Sequence, residues 1–90
     1  MNNLYEYIDP ITSPYEAFCC DSISYRFPVP AHWHYYVELL YILEGRVRIS
    51  IDNSVKVCLK GTVIFFPPKC VHAIDVLDKG ERVCYHVVKF

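Results

Sequence analysis

The chain has 90 residues, nine basic against ten acidic side chains for a net charge of −1, and a hydrophobic share of 53%. That is one small domain, burying about 60–65% of its unfolded surface in a single core. No basic stripe or arginine-rich arm gives these residues an electrostatic footprint for nucleic acid, and no apolar run reaches the roughly 18–20 residues of a membrane helix.

Residues 1–15, with Pro10 and Pro14 and little alternation, read as an arm lying on the domain that occupies 16–90. The start, MNNLYEYIDP, has neither the basic nor the apolar region of a signal peptide. Five cysteines, an odd number without CxxC spacing and with Cys19 and Cys20 adjacent, do not form a disulfide framework and fit a reducing compartment. The expected location is the cytoplasm.

A first strand is predicted over Glu16–Phe27, with the prolines at 28 and 30 marking a strand exit or an edge. His32–Leu43 reads as one long central strand because it is rich in Tyr, Val and Ile and stops at Gly45. Arg46–Ile51 alternates cleanly, with Val47, Ile49 and Ile51 on one face. Asp52-Asn53 signals a tight hairpin. Val55–Leu59 is expected to return with Val55, Val57 and Leu59 inward and Lys56 and Cys58 outward. Lys60-Gly61 turns into Thr62–Phe66, Pro67-Pro68-Lys69 makes a rigid bend before Cys70–Leu77, and 78–81 turns into the last strand, Arg82–Phe90. Short strands at this spacing without a convincing helix predict an all-β, antiparallel jelly-roll barrel.

Chemistry concentrates in His32, His34, Glu38 and His72. On a strand, side chains alternate faces, so 32, 34, 36 and 38 are expected to point the same way; on a helix, 32 and 34 would diverge. Three imidazoles and a carboxylate suit a divalent transition ion such as Mn, Fe, Ni or Zn and leave positions open for a ligand's oxygens. The alternative is a metal-free cluster in which a protonated histidine compensates Glu38. The same parity places Tyr36, Leu40 and Ile42 inward as candidate ligand-binding residues, Tyr36 first because its ring stacks and its hydroxyl hydrogen-bonds, with an ordinary core aromatic as the alternative for Tyr36. Trp33 points the other way and is expected to serve plain surface packing, with covering of the arm or a partner subunit as the alternative. Cys70 shares parity with His72 and reads as a small buried filler.

The order of these residues resembles a cupin. The first cupin motif, HxH, a Glu and a Gly, reads here as His32, His34, Glu38 and Gly45. The second reads as Gly61, Pro67 and His72, with Lys69 where the motif has glycine and Val76 where it has asparagine; Arg26 stands where a glycine precedes the first motif. Lys69 puts the bend that delivers His72 in question. The resemblance covers about residues 26–76 and implies a double-stranded β-helix. HWHYYVELLYILEGRVRISID, KGTVIFFPPKCVHAI and YHVVKF further resemble the N-terminal effector-binding domain of AraC-type transcription regulators. That implies a small effector, such as a sugar, a homodimer, and DNA binding confined to C-terminal helix-turn-helix units that these residues do not contain. It also implies no catalysis. The alternative is a stand-alone metal-dependent cupin enzyme, such as a dioxygenase or sugar isomerase.

Overall fold

Alternation of apolar and polar side chains sets nearly every element of the molecule. The computed structural model describes residues 5–6, 15–22 and 29–90. Among them it contains eight strands and no helix: β1 Glu16–Asp21, β2 Val29–His32, β3 Glu38–Glu44, β4 Arg46–Ile51, β5 Ser54–Leu59, β6 Val63–Phe66, β7 His72–Val76 and β8 Cys84–Lys89. They form two antiparallel four-stranded sheets, in the orders β1-β8-β3-β6 and β2-β7-β4-β5. The chain passes repeatedly from one sheet to the other, and this is the jelly-roll barrel the strand pattern predicts. Inward residues of the first sheet (Leu40, Ile42, Phe66, Tyr85, Val87) meet Val47, Ile49 and Ile74 of the second in one buried core. No helix among the described residues is long and apolar enough to cross a membrane.

Two sequence expectations need correction. His32–Leu43 is not one strand. β2 belongs to the second sheet and β3 to the first, and residues 33–37 cross between them. No Gly or Pro marks this crossing in the sequence. Backbone bonds from distant segments hold it: Val37 donates to the Phe90 carbonyl at 2.8 Å and Phe90 donates back at 2.9 Å. The proline-containing β2 is a sheet edge, as proline requires.

The second correction concerns β5. Val55, Val57 and Leu59 point outward, at 61%, 53% and 54% exposure, while Cys58 is buried. Residues directly opposite in a strand pair share a face. The hairpin pairs Val47 with Cys58, Ile49 with Lys56 and Ile51 with Ser54. Once β4 turns its apolar set inward, the two-residue turn drives the valines of β5 out.

The first strand ends at Asp21, and its predicted continuation over 23–27 lies outside the described residues, as does Arg26. So does most of the arm. Tyr5 pairs with Trp33 in an isolated bridge, with ring centroids 4.6 Å apart, and Glu6 donates its N–H to the Trp33 carbonyl at 2.7 Å. All five cysteines are free thiols, with Cys19 and Cys84 sulfurs 3.6 Å apart.

Candidate metal centre

The four predicted donors converge although they do not share a strand. His32 ends β2, His34 lies in the crossing, Glu38 opens β3 and His72 opens β7. His32 and His72 are register partners across β2 and β7, and the crossing carries His34 and Glu38 over the gap to meet them. One ligating atom from each lies within 4.8 Å of the other three. His34, Glu38 and His72 are buried, and half-buried His32 forms the open side.

Backbone carbonyls fix the orientation of all three imidazoles. His32 Nδ1 donates to the Pro30 carbonyl at 2.8 Å, His34 Nδ1 to Tyr36 at 3.0 Å, and His72 Nδ1 to Cys70 at 3.1 Å. A carbonyl only accepts, so each Nδ1 carries a proton, and Nε2 is the ring nitrogen left for the centre. Such outer hydrogen bonds orient metal-ligating histidines generally. The ring of His72 also stacks on Phe66, centroids 4.4 Å apart.

Glu38 Oε1 lies 2.9 Å from His34 Nε2 and 3.2 Å from His72 Nε2. Lone pairs cannot face a carboxylate at that distance without a positive charge between them. Either both imidazoles carry a second proton, or a cation sits among the four donors. Among the described residues no buried side-chain nitrogen or oxygen lacks a partner, so the protonated cluster closes on itself. Burial works to raise the Glu38 pKa, but hydrogen bonds from His34 and His72 and the charge of Lys89 outweigh it and bring it to about 2. His32 is held below its ordinary value chiefly by burial, which favours the neutral form that ligates.

The donor set fits a transition ion. Metal–nitrogen and metal–oxygen bonds of about 2.0–2.2 Å need donors no more than roughly 4.3 Å apart, so the cluster must contract by about half an ångström. Burial pushes the Cys70 thiol up, and its sulfur sits 3.8 Å from His72 Nδ1, the nitrogen that faces away from the centre. Cys70 therefore fills core beside the site rather than ligating.

The predicted ligand-binding residues fall elsewhere. Leu40 and Ile42 are fully buried in the apolar core, and Tyr36 is buried near His34 with its carbonyl fixing that ring. A cavity of about 250 Å³ lies against the site, and none of these three lines it. Its walls include His32, Glu38, Val29, Ile74, Val87, Glu6 and Lys89. A larger cleft of about 550 Å³ opens between β5 and β6 and touches none of the four donors.

Sequence reasoning missed Glu6 and Lys89. Lys89 is 6% exposed and bonds Glu6 Oε1 at 2.8 Å. The signal was present: 83, 85, 87 and 89 share parity, and Val83, Tyr85 and Val87 are plainly core residues. Glu6 carried no comparable signal.

Lys69 keeps the bend that its lack of a glycine put in question. It adopts φ 67°, the left-handed region, and donates to the His34 carbonyl at 2.8 Å. A side chain there costs about 1 kcal/mol. Lys69→Gly is therefore expected to stabilise the domain by roughly 0.5–1 kcal/mol in urea unfolding, with metal binding unchanged. A destabilised variant would show that the bend is not strained.

A profile of the family described as "Cupin domain" matches residues 26–88. An uncharacterized protein of Methanocaldococcus jannaschii, MJ1618, is 44% identical over 45 residues, covering 49% of this chain and 36% of that protein. Among solved structures, a Cupin 2 conserved barrel domain protein from Salinispora arenicola is similar at TM-score 0.73 and 20% identity, covering 87% of this chain and 64% of the other. The FeII form of HppE is similar at TM-score 0.71 and 15% identity, covering 84% and 42%. The chain thus spans less than two thirds of each of these proteins.

Proposed function

This chain belongs to the cupin family, and on that premise we propose that it is a small-molecule-binding module whose three histidines and Glu38 hold a divalent transition ion. One observation carries the reading: three imidazoles, each locked by a carbonyl at Nδ1, gather with Glu38 beside a cavity, and two of them, His34 and His72, direct Nε2 at the same carboxylate oxygen. When bound, the ion supplies a Lewis acid with positions left for a ligand's oxygens. His32 and Glu38 form the wall between ion and cavity, and the apolar side chains of Val29, Ile74 and Val87 limit water there.

We read the module as the effector-binding part of an AraC-type regulator, a homodimer whose DNA-binding units lie outside these residues. The support is the sequence resemblance, together with the chemistry of the cavity wall. The ionised groups described there are a metal donor, Glu38, and the Glu6–Lys89 pair, and burial pushes the Cys20 thiol up and so keeps it protonated. This wall favours binding over turnover. The coding sequence following Phe90 tests the assignment: helix-turn-helix sequence supports it, and a stop codon there overturns it.

A second reading, a metal-dependent enzyme, draws support from the open side of the donor set and from the likeness to the FeII form of HppE. Protein purified without added metal separates the two. Stoichiometric iron or manganese with substrate-dependent oxygen uptake supports the enzyme. For either reading, a divalent ion at a hundredfold excess over its dissociation constant is expected to stabilise chelator-treated protein by about 2.7 kcal/mol. The increase in melting temperature should vanish in His34→Ala. An unchanged melting temperature with Zn, Ni, Mn and Fe alike would leave the protonated cluster as the working state.

A further inference from the structure

We propose that Lys89 is a carboxylate-binding subsite and that Glu6 of the N-terminal arm occupies it as an internal substitute for the ligand, so that the module binds a small carboxylic acid. The inference rests on the reading of the cavity as a ligand site and names the chemical class it takes.

Four observations support it. Lys89 is buried yet charged, on the inward face of β8, and stands directly opposite Glu38 in the β8–β3 register. Residues so placed have Cβ atoms about 5 Å apart, which brings the ammonium to the edge of the metal centre. A buried ammonium needs a countercharge. Glu38 supplies part of it from the barrel, but the direct ion pair comes from the arm: Glu6 Oε1 is 2.8 Å from Lys89 Nζ, and Glu6 Oε2 is 3.9 Å from His32 Nε2. One carboxylate therefore spans the gap between the ammonium and the open side of the donor set, where a ligand's carboxylate would lie if its next oxygen approached the ion.

On the barrel side Lys89 faces Glu38 across the register. The Phe18 ring lies 5.5 Å from Nζ, and Val29, Ile74 and Val87 form an apolar wall suited to a short carbon body. The described residues of the arm, Tyr5 and Glu6, reach the barrel through the Tyr5–Trp33 bridge, the Tyr5–Tyr35 ring contact and the Glu6–Trp33 backbone bond. A neutral sugar carries no charge to replace Glu6. A small carboxylate does, and its binding releases the arm.

The test uses 2-hydroxybutyrate and its neutral amide as probes on the full chain. Trp33 is the chain's one tryptophan and packs on Tyr5, so its emission reports the arm. Removing an internal competitor that occupies the subsite about nine-tenths of the time tightens binding about tenfold. Glu6→Gln is therefore expected to bind the acid about tenfold more tightly than the native protein, and Lys89→Met at least tenfold more weakly, with amide binding unchanged in both. The acid, and not the amide, shifts Trp33 emission in the native protein. Glu6→Gln changes a residue of the arm and leaves the barrel core intact, so it decides the matter even if Lys89→Met fails to fold. Equal affinity of native and Glu6→Gln protein for the acid overturns the proposal, as does a Glu6→Gln variant with weakened metal binding, which would make Glu6 a ligand of the ion. Repeating the titrations on chelator-treated protein distinguishes the failures. Loss of all probe binding there, with Glu6 and Lys89 effects intact on the metal-loaded protein, upholds both readings. Glu6 and Lys89 effects that persist in protein unable to take up metal uphold the subsite alone.

Discussion

Glu38→Gln is expected to lower divalent-metal affinity at least about a hundredfold and to remove about 3 kcal/mol of stability from the metal-free protein at pH 7. The first effect follows from losing the only anionic member of the donor set, since an amide oxygen neither neutralises the ion nor matches a carboxylate's basicity. The second follows from the depressed carboxyl pKa. A carboxylate held at about 2 in the folded chain, against an ordinary 4.5, stabilises the native state fully above 4.5. That contribution is lost as the pH falls through the interval down to about 2. Burial of Glu38 at 3% exposure leaves little solvent screening to discount it. Urea unfolding of both proteins at pH 7 and again near pH 2.5 checks the sign: a gap at neutral pH that narrows in acid. Native and variant proteins of equal stability at pH 7 would mean the His34–Glu38–His72 cluster carries no net charge pairing.

Gly45→Ala is expected to cost about 3–5 kcal/mol, a large part of the roughly 5–15 kcal/mol that stabilises a domain. Gly45 has φ 82°, and a Cβ there would lie 2.3 Å from the Arg82 carbonyl oxygen and 3.1 Å from Val83 Cγ2. The obstruction is backbone, so no rotamer change relieves it. It sits beside the irregularity in the β3–β8 register between Ile42 and Glu44, where the chain turns from one sheet to the other. Gly61 and Gly80 serve as internal controls. Both have left-handed φ, 89° and 90°, but open space around the missing Cβ. Their alanine variants should each lose only about 1–2 kcal/mol, the cost of the conformation alone. Coincident urea midpoints for Gly45→Ala and Gly61→Ala would show that the close approach of β3 and the 82–83 segment is not real.

Much of the site was legible before any fold, for reasons that did not all hold. The HxH spacing and a distant fourth donor identified His32, His34, Glu38 and His72 as a group. A single strand does not produce that grouping, since the chain crosses between sheets at 33–37. The inverted facing of β5 was derivable in principle. Pairing 51 with 54 across a two-residue turn settles which side Val55, Val57 and Leu59 take, which apolar content alone does not. Tyr36, Leu40 and Ile42 were correctly expected to be inward, but an inward residue of a two-sheet barrel meets the core more often than a cavity.

From its residues alone the chain determined its strand class, the two turn-bounded motifs and the identity of four polar side chains that belong together, because alternation and turn chemistry are local properties. Only the tertiary structure decided what lies beside them. The contact of Glu6 with Lys89 joins residues 83 positions apart. It arises because β8 lies between β1 and β3 while the arm returns along Trp33. Which charges share a cavity depends on how strands order themselves in a sheet, and that order is set by packing across the whole barrel rather than by any short stretch of chain.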